Sequence, residues 1–112
     1  MSKTSPTQRS LAKLRAEGCD LVQVVEHWNP FARIRQDLFG VVDILAIRGE
    51  ETIAVQSTSG DNVSKRVDKI AESDAIAAIR RAGWTFHVHG WRKVKPRGQK
   101  VAKWECRVVD VS

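Results

Sequence analysis

The chain has no tyrosine, one methionine, three prolines and two cysteines in 112 residues. Each shortage excludes something. Cys19 and Cys106 stand alone, with no CxxC spacing and no second pair nearby, which argues against a zinc ribbon or a disulfide scaffold; both read as small core hydrophobes. No apolar run approaches the ~18 residues of a membrane span, and the first ten residues hold no apolar signal core. The expectation is a cytoplasmic protein with no membrane partner. Past the first half-dozen residues there is no linker, repeat or low-complexity stretch, so residues 1–112 read as one domain, with a core over about 7–91 and a basic β extension over 92–112.

Positive charge is in surplus. Nineteen Lys and Arg against thirteen Asp and Glu leave a formal charge of +6, a balance that favours polyanions and makes nucleic acid the expected partner. Six of the basic residues fall between Arg92 and Lys103, a stretch with no acid.

The local signals alternate between helix and strand. Ser5-Pro6 at one end and Gly18 at the other bracket a helix over 7–17. Residues 21–28 are rich in β-branched side chains and stop at Asn29-Pro30, the pattern of a first strand. Residues 41–47 and 52–56, joined through Gly49-Glu50, form a tight antiparallel hairpin. Asn62 is a candidate N-cap for a second helix that runs to Gly83 with a break near Ser73. Trp84, Phe86 and Val88 alternate with Thr85, His87 and His89 as a fourth strand, and residues 104–111, beyond a turn at Pro96-Arg97-Gly98, alternate as a last one. The expected fold is α/β, an α-β-β-β-α-β core with a central mixed sheet flanked by helices and a C-terminal β extension.

Chemistry concentrates at Asp43, a carboxylate inside the apolar run Val41-Val42-Asp43-Ile44-Leu45-Ala46-Ile47. Burying an unpaired charge costs several kcal/mol, so a metal ion, a basic side chain or an opening to solvent is required. A two-residue turn at Gly49-Glu50 sets Asp43 opposite Gln56, with Thr58 on the same face. Lys65, Arg66 and Lys69 crowd the first turns of the second helix, where the macrodipole disfavours cations, which points to phosphate contact or to a solvated face. Asp37 reads as a loop carboxylate rather than a second metal-site acid. His27, His87 and His89 lack zinc spacing and read as surface or nucleic-acid contacts. The four tryptophans read as core or sheet-edge residues, and Trp91, between Gly90 and Arg92, is the candidate for stacking on an unpaired base.

Over residues 7–91 the chain resembles the PD-(D/E)xK nuclease superfamily, in particular archaeal Holliday-junction resolvases and virus-type replication-repair nucleases. Asp43 matches the acid of the second strand in that pattern. Gln56-Ser57-Thr58 falls where (D/E)-x-K stands on the third, with Gln56 at the acidic position, as in the Q-x-K of Mrr-type restriction enzymes, and Thr58 at the lysine. Gln8 stands where junction-resolving members often carry a helix-one glutamate.

The resemblance implies a restriction-endonuclease-like fold and a Mg²⁺ or Mn²⁺ site made of Asp43, the Gln56 carbonyl oxygen and the Ser57 main-chain carbonyl. Lys65 or Lys69 would supply the missing lysine. It also implies a DNA substrate of branched or flapped structure, phosphate contacts from Lys65, Arg66, Lys69, Arg92, Lys93, Lys95 and Arg97, and a possible homodimer. Two other readings stay open: a catalytically degenerate DNA-binding module of the same fold, and an RNA-associated basic protein for which Asp43 is incidental.

Overall fold

A computed structural model of the protein describes residues 5–95, 97, 98 and 100–112. Pro96, where the tail turn was expected to begin, lies outside that set.

Helix α1 covers Pro6–Ala16. The Ser5 hydroxyl accepts the Gln8 N–H at 3.2 Å and Pro6 occupies the first turn, while Gly18 leaves the helix at φ +86°. Strand β1 (Leu21–Val24) follows, then a ribbon of β2 (His27–Asn29) and β3 (Ile34–Gln36). The hairpin β4 (Ile44–Arg48) and β5 (Glu51–Ser59) turns at Gly49, whose φ of +59° suits the first central position of a primed hairpin turn. A 3₁₀ turn (Gly60–Asn62), α2 (Val63–Ala71) and α3 (Ile76–Arg81) lead back to β6 (Thr85–Val94), and β7 (Lys103–Asp110) closes the chain.

The main sheet has the order β1-β4-β5-β6-β7. All its pairings are antiparallel except β5–β6, the parallel pair that needs the crossover supplied by α2 and α3. The chain is therefore mixed α/β with a five-stranded mixed sheet flanked by helices and ending on a C-terminal strand, as the sequence led us to expect. Alternation along β5 divides the core in two. Ile53 and Val55, with Ile44 and Ala46, pack on Leu14 of α1; Ala54, with Phe86 and Val88, packs on Val63, Ile70, Ile76 and Ile79 of the other helices. Among the described residues no helix is long and apolar enough to cross a membrane.

Three local expectations change. The strand expected over 21–28 divides, because the Asn29 side-chain oxygen accepts the N–H groups of Phe31 (3.0 Å) and Ala32 (3.1 Å) and folds β2 back into the separate ribbon. Asn62 occupies the N-cap position of α2 but makes no side-chain capping bond there; its amide donates to the Ser59 hydroxyl at 3.1 Å. The basic tail is not an appendage, since β7 pairs with β6 from His87↔Asp110 to Val94↔Lys103 and becomes the fifth strand of the sheet.

Gly90 governs how α2 seats on β6. A Cβ there would collide with the Val63 side chain, the first residue of α2, and would also touch Gly60. Overpacking of this kind costs typically 1–3 kcal/mol. We predict that Gly90→Ala lowers the unfolding free energy by about that amount in urea titration; an unchanged midpoint would show that the helix seat yields freely.

Candidate functional site

Asp43 immediately precedes β4. Its N–H donates to the Val55 carbonyl at 2.9 Å and its carboxylate accepts the Ser57 N–H at 2.9 Å. The hairpin register expected from the Gly49-Glu50 turn holds from Arg48↔Glu51 to Ile44↔Val55. The ladder ends one step short of Asp43 and Gln56, and what joins those two side chains is a third residue, Asp37.

Two further strand registers gather acids at this point. Leu38 bridges Val42 across a tight turn in which Phe39 (φ +56°) and Gly40 (φ +77°) both take left-handed backbone, so Asp37 and Asp43 fall opposite each other one step beyond the bridge. In the ribbon His27 pairs with Gln36, and the same register carried one step further sets Glu26 opposite Asp37. Carboxylate oxygens of Glu26, Asp37 and Asp43 lie within 4.8 Å of one another. Asp37, expected to be a loop carboxylate, is central to the cluster. Glu26 was missed because the interrupted strand concealed its position.

The electrostatics are unfavourable as they stand. Burial, then a hydrogen bond that the protonated Asp43 carboxyl donates to Asp37, push the Asp43 carboxyl up to about 7, against the opposing effect of the Ser57 N–H. Asp43 thus keeps its proton up to about pH 7. Lys69 of α2 places its ammonium 3.5 Å from Asp37, and Arg35 reaches Glu26 at 3.4 Å. The Gln56 side chain is fully buried; its amide N–H donates to Asp37 at 3.2 Å while its carbonyl oxygen has no partner among the described residues. Turning the amide over would set that oxygen against a carboxylate. A buried oxygen left unpaired costs about 1–3 kcal/mol. One oxygen without a donor beside three crowded carboxylates is a hard-oxygen donor set for a divalent cation.

A cleft of about 320 Å³ opens over the cluster, lined by Thr7, Ser57, Arg66 and Lys69 besides the acids and Arg35. Of the expected site residues, Asp43, Gln56, Ser57, Arg66 and Lys69 come together here. Ser57 contributes its N–H to Asp43. Thr58 is buried, pairs with Gly90 on β6 and does not line the cleft. Lys65 is exposed on α2 and also lies off it.

The expected phosphate-gripping residues of the tail are elsewhere. Arg92, Lys93 and Lys95 lie along or just past β6, and Arg97 is exposed beyond them. Arg92 engages Glu105 at 3.4 Å. Strand β6 runs three residues beyond Trp91, the partner of the last residue of β5, so this basic hairpin extends from the same end of the sheet as the carboxylates. Trp91, expected to stack on a base, is instead tied to α1, its indole N–H donating to the Ser10 hydroxyl at 2.9 Å. His89, expected at the surface, is buried against the same hydroxyl at 2.9 Å, and burial lowers its pKa to about 4.

Comparison with protein-family models, curated proteins and solved structures finds no match to the chain.

The raised Asp43 carboxyl has a definite sign in stability. The unfolded chain ionises at an ordinary carboxylate pKa near 4, whereas the folded chain keeps its proton to about 7, so without metal this group's contribution is full below pH 4 and is lost as pH rises to 7. Asn at this position keeps the bond to Ser57 and supplies N–H to Asp37. We predict that in EDTA Asp43→Asn is more stable than the wild type at pH 8, by about 1–4 kcal/mol at 1.4 kcal/mol per pKa unit, and that the two converge near pH 4 in urea titration. An equal difference at both pH values would show that Asp43 carries no raised pKa.

Proposed function

We propose that the protein is a divalent-metal-dependent, nuclease-type DNA-binding protein, with Glu26, Asp37 and Asp43 holding the ion and the Gln56 carbonyl oxygen completing the donor set. The observation that carries this reading is the orphaned Gln56 oxygen beside three carboxylates within 4.8 Å of one another. Mg²⁺ or Mn²⁺ suits oxygen donors of this kind and retains waters on its open positions. When bound, the ion would polarise a phosphodiester and lower the pKa of an attacking water.

The chain's own residues have separable roles. Lys69, 3.5 Å from Asp37, brings an ammonium to the cleft where Thr58 supplies none, and so stands in for the lysine of the resembled motif. Arg66 and Arg35 flank the same cleft and would hold phosphate oxygens. Ser57 and Gln56 fix the two aspartates through N–H donors, at 2.9 and 3.2 Å. The basic hairpin of β6 and β7 would add phosphate contacts from the same end of the sheet. Branched or flapped DNA is the substrate class the resemblance suggests, and the placement of cations around the acids is compatible with it.

The decisive assay is cleavage of linear, flapped and four-way DNA with Mg²⁺ and with Mn²⁺. We predict cleavage of at least one structure, loss of more than a hundredfold in Asp43→Ala and Asp37→Ala, and DNA affinity within a few-fold of wild type in both variants. DNA binding without cleavage under either metal would leave a binding module with a degenerate centre. Cleavage that survives loss of Asp43 would locate the chemistry elsewhere.

A further inference from the structure

The β2–β3 ribbon has little else to do in the fold. It pairs with no strand of the main sheet, yet it carries the most exposed large apolar side chain of the described residues, Phe31 at 98%, together with Trp28 at 56% and Ile34 at 51%. Its turn is nevertheless tied by hydrogen bonds. Asn29 holds the N–H groups of Phe31 and Ala32 with its side chain and that of Arg33 with its carbonyl (2.8 Å), and Arg33 sits at φ +55°. Water would favour such a tip being folded away, so an apolar projection of this kind suits a contact surface.

Its position says for what. The two feet of the ribbon are Glu26 and Asp37, the acids of the cluster, and strand alternation puts Trp28 and its partner Arg35 on the ribbon face that those acids share. Trp28 lies two residues from Glu26, roughly 7 Å along the strand. Residues 27–36 include Arg33, Arg35 and His27 and no acid, so the surface is aromatic and basic together. An apolar protein partner has no use for the interleaved cations; bases flanked by phosphates use both.

We propose that this ribbon is a base-contacting prong that selects DNA with unstacked bases, Trp28 stacking on a base next to the phosphate at the carboxylates and Phe31 entering at the boundary between paired and unpaired strands. This rests on the reading of the cleft as a nucleic-acid site, and it names the structural class of the DNA. Aromatic wedges from a hairpin lower the cost of holding a fork open, so discrimination between forked and fully paired DNA resides in the ribbon while the cations set general affinity.

The test is binding, by fluorescence anisotropy with Ca²⁺ in place of a catalytic metal, of a forked and a fully paired oligonucleotide of equal length and charge. The wild type should prefer the fork, and Phe31→Ala and Trp28→Ala should each reduce that preference at least fivefold, the low end of the loss of one aromatic–base stack. Both leave paired-DNA affinity and the salt slope within twofold, and Phe31→Trp retains the preference. Phe31 touches little of the protein, so its loss leaves the fold intact, and thermal melting confirms this. Paired and forked DNA bound alike by the wild type, or a preference untouched by both alanine variants, overturns the prong while leaving the cleft reading in place. No binding to any DNA overturns both. Concentration-dependent self-association abolished by Phe31→Ala, with DNA binding unaltered, would instead make the ribbon a protein contact.

Discussion

Three carboxylates held within 4.8 Å of one another, with Asp43 almost wholly out of water, cannot all carry their charge without something positive among them. The chain compensates only in part. Lys69 and Arg35 sit at the rim on Asp37 and Glu26, the Asp43 carboxyl is pushed up to about 7, and the Gln56 amide makes one bond to the cluster with one oxygen left over. A structural ion-pair network would be expected to finish its hydrogen bonds. This one stops short at the Gln56 oxygen, and the surrounding local structure serves to keep the acids close.

The second polar spot, on the opposite face of β5, explains how that closeness is maintained. Ser57 gives its N–H to Asp43, and its hydroxyl shares a hydrogen bond with that of Ser10 of α1 at 3.0 Å. Ser10 is fully buried and also receives the Trp91 N–H and meets His89. A hydroxyl has one proton and two lone pairs, so with Trp91 donating, one of Ser57 and His89 must donate and the other accept. The imidazole stays neutral, because burial first and then the Lys13 charge lower its pKa to about 4. Helix α1 therefore reaches the carboxylate cluster through one serine, which also anchors the Trp91 indole.

Much of this arrangement was legible in residue types. Alternation and turn chemistry gave the α/β order, the break between α2 and α3, and the β4–β5 register, since Gly49-Glu50 leaves one clear pairing. Asp43 and Gln56 stood out because a charge and an amide interrupt apolar strands. Glu26 and Asp37 were hidden for a physical reason. Their proximity depends on Phe39-Gly40, a turn whose first left-handed residue is aromatic rather than the Asn or Gly that announces such a turn, and on an Asn29 side chain that folds β2 back before it can continue β1. The exposure of Phe31 was equally hidden, because composition does not distinguish a buried aromatic from a presented one.

The central claim is that Glu26, Asp37, Asp43 and Gln56 form one divalent-cation centre. The most direct measurement is anomalous diffraction from crystals of the intact chain soaked in Mn²⁺. The account predicts a single strong peak among the three carboxylates, within coordinating distance of Asp43 and of the Gln56 carbonyl oxygen, and no such peak in Asp43→Asn crystals. A cluster that stays empty at millimolar Mn²⁺, or a peak that ignores Gln56 and persists without the Asp43 carboxylate, would contradict it.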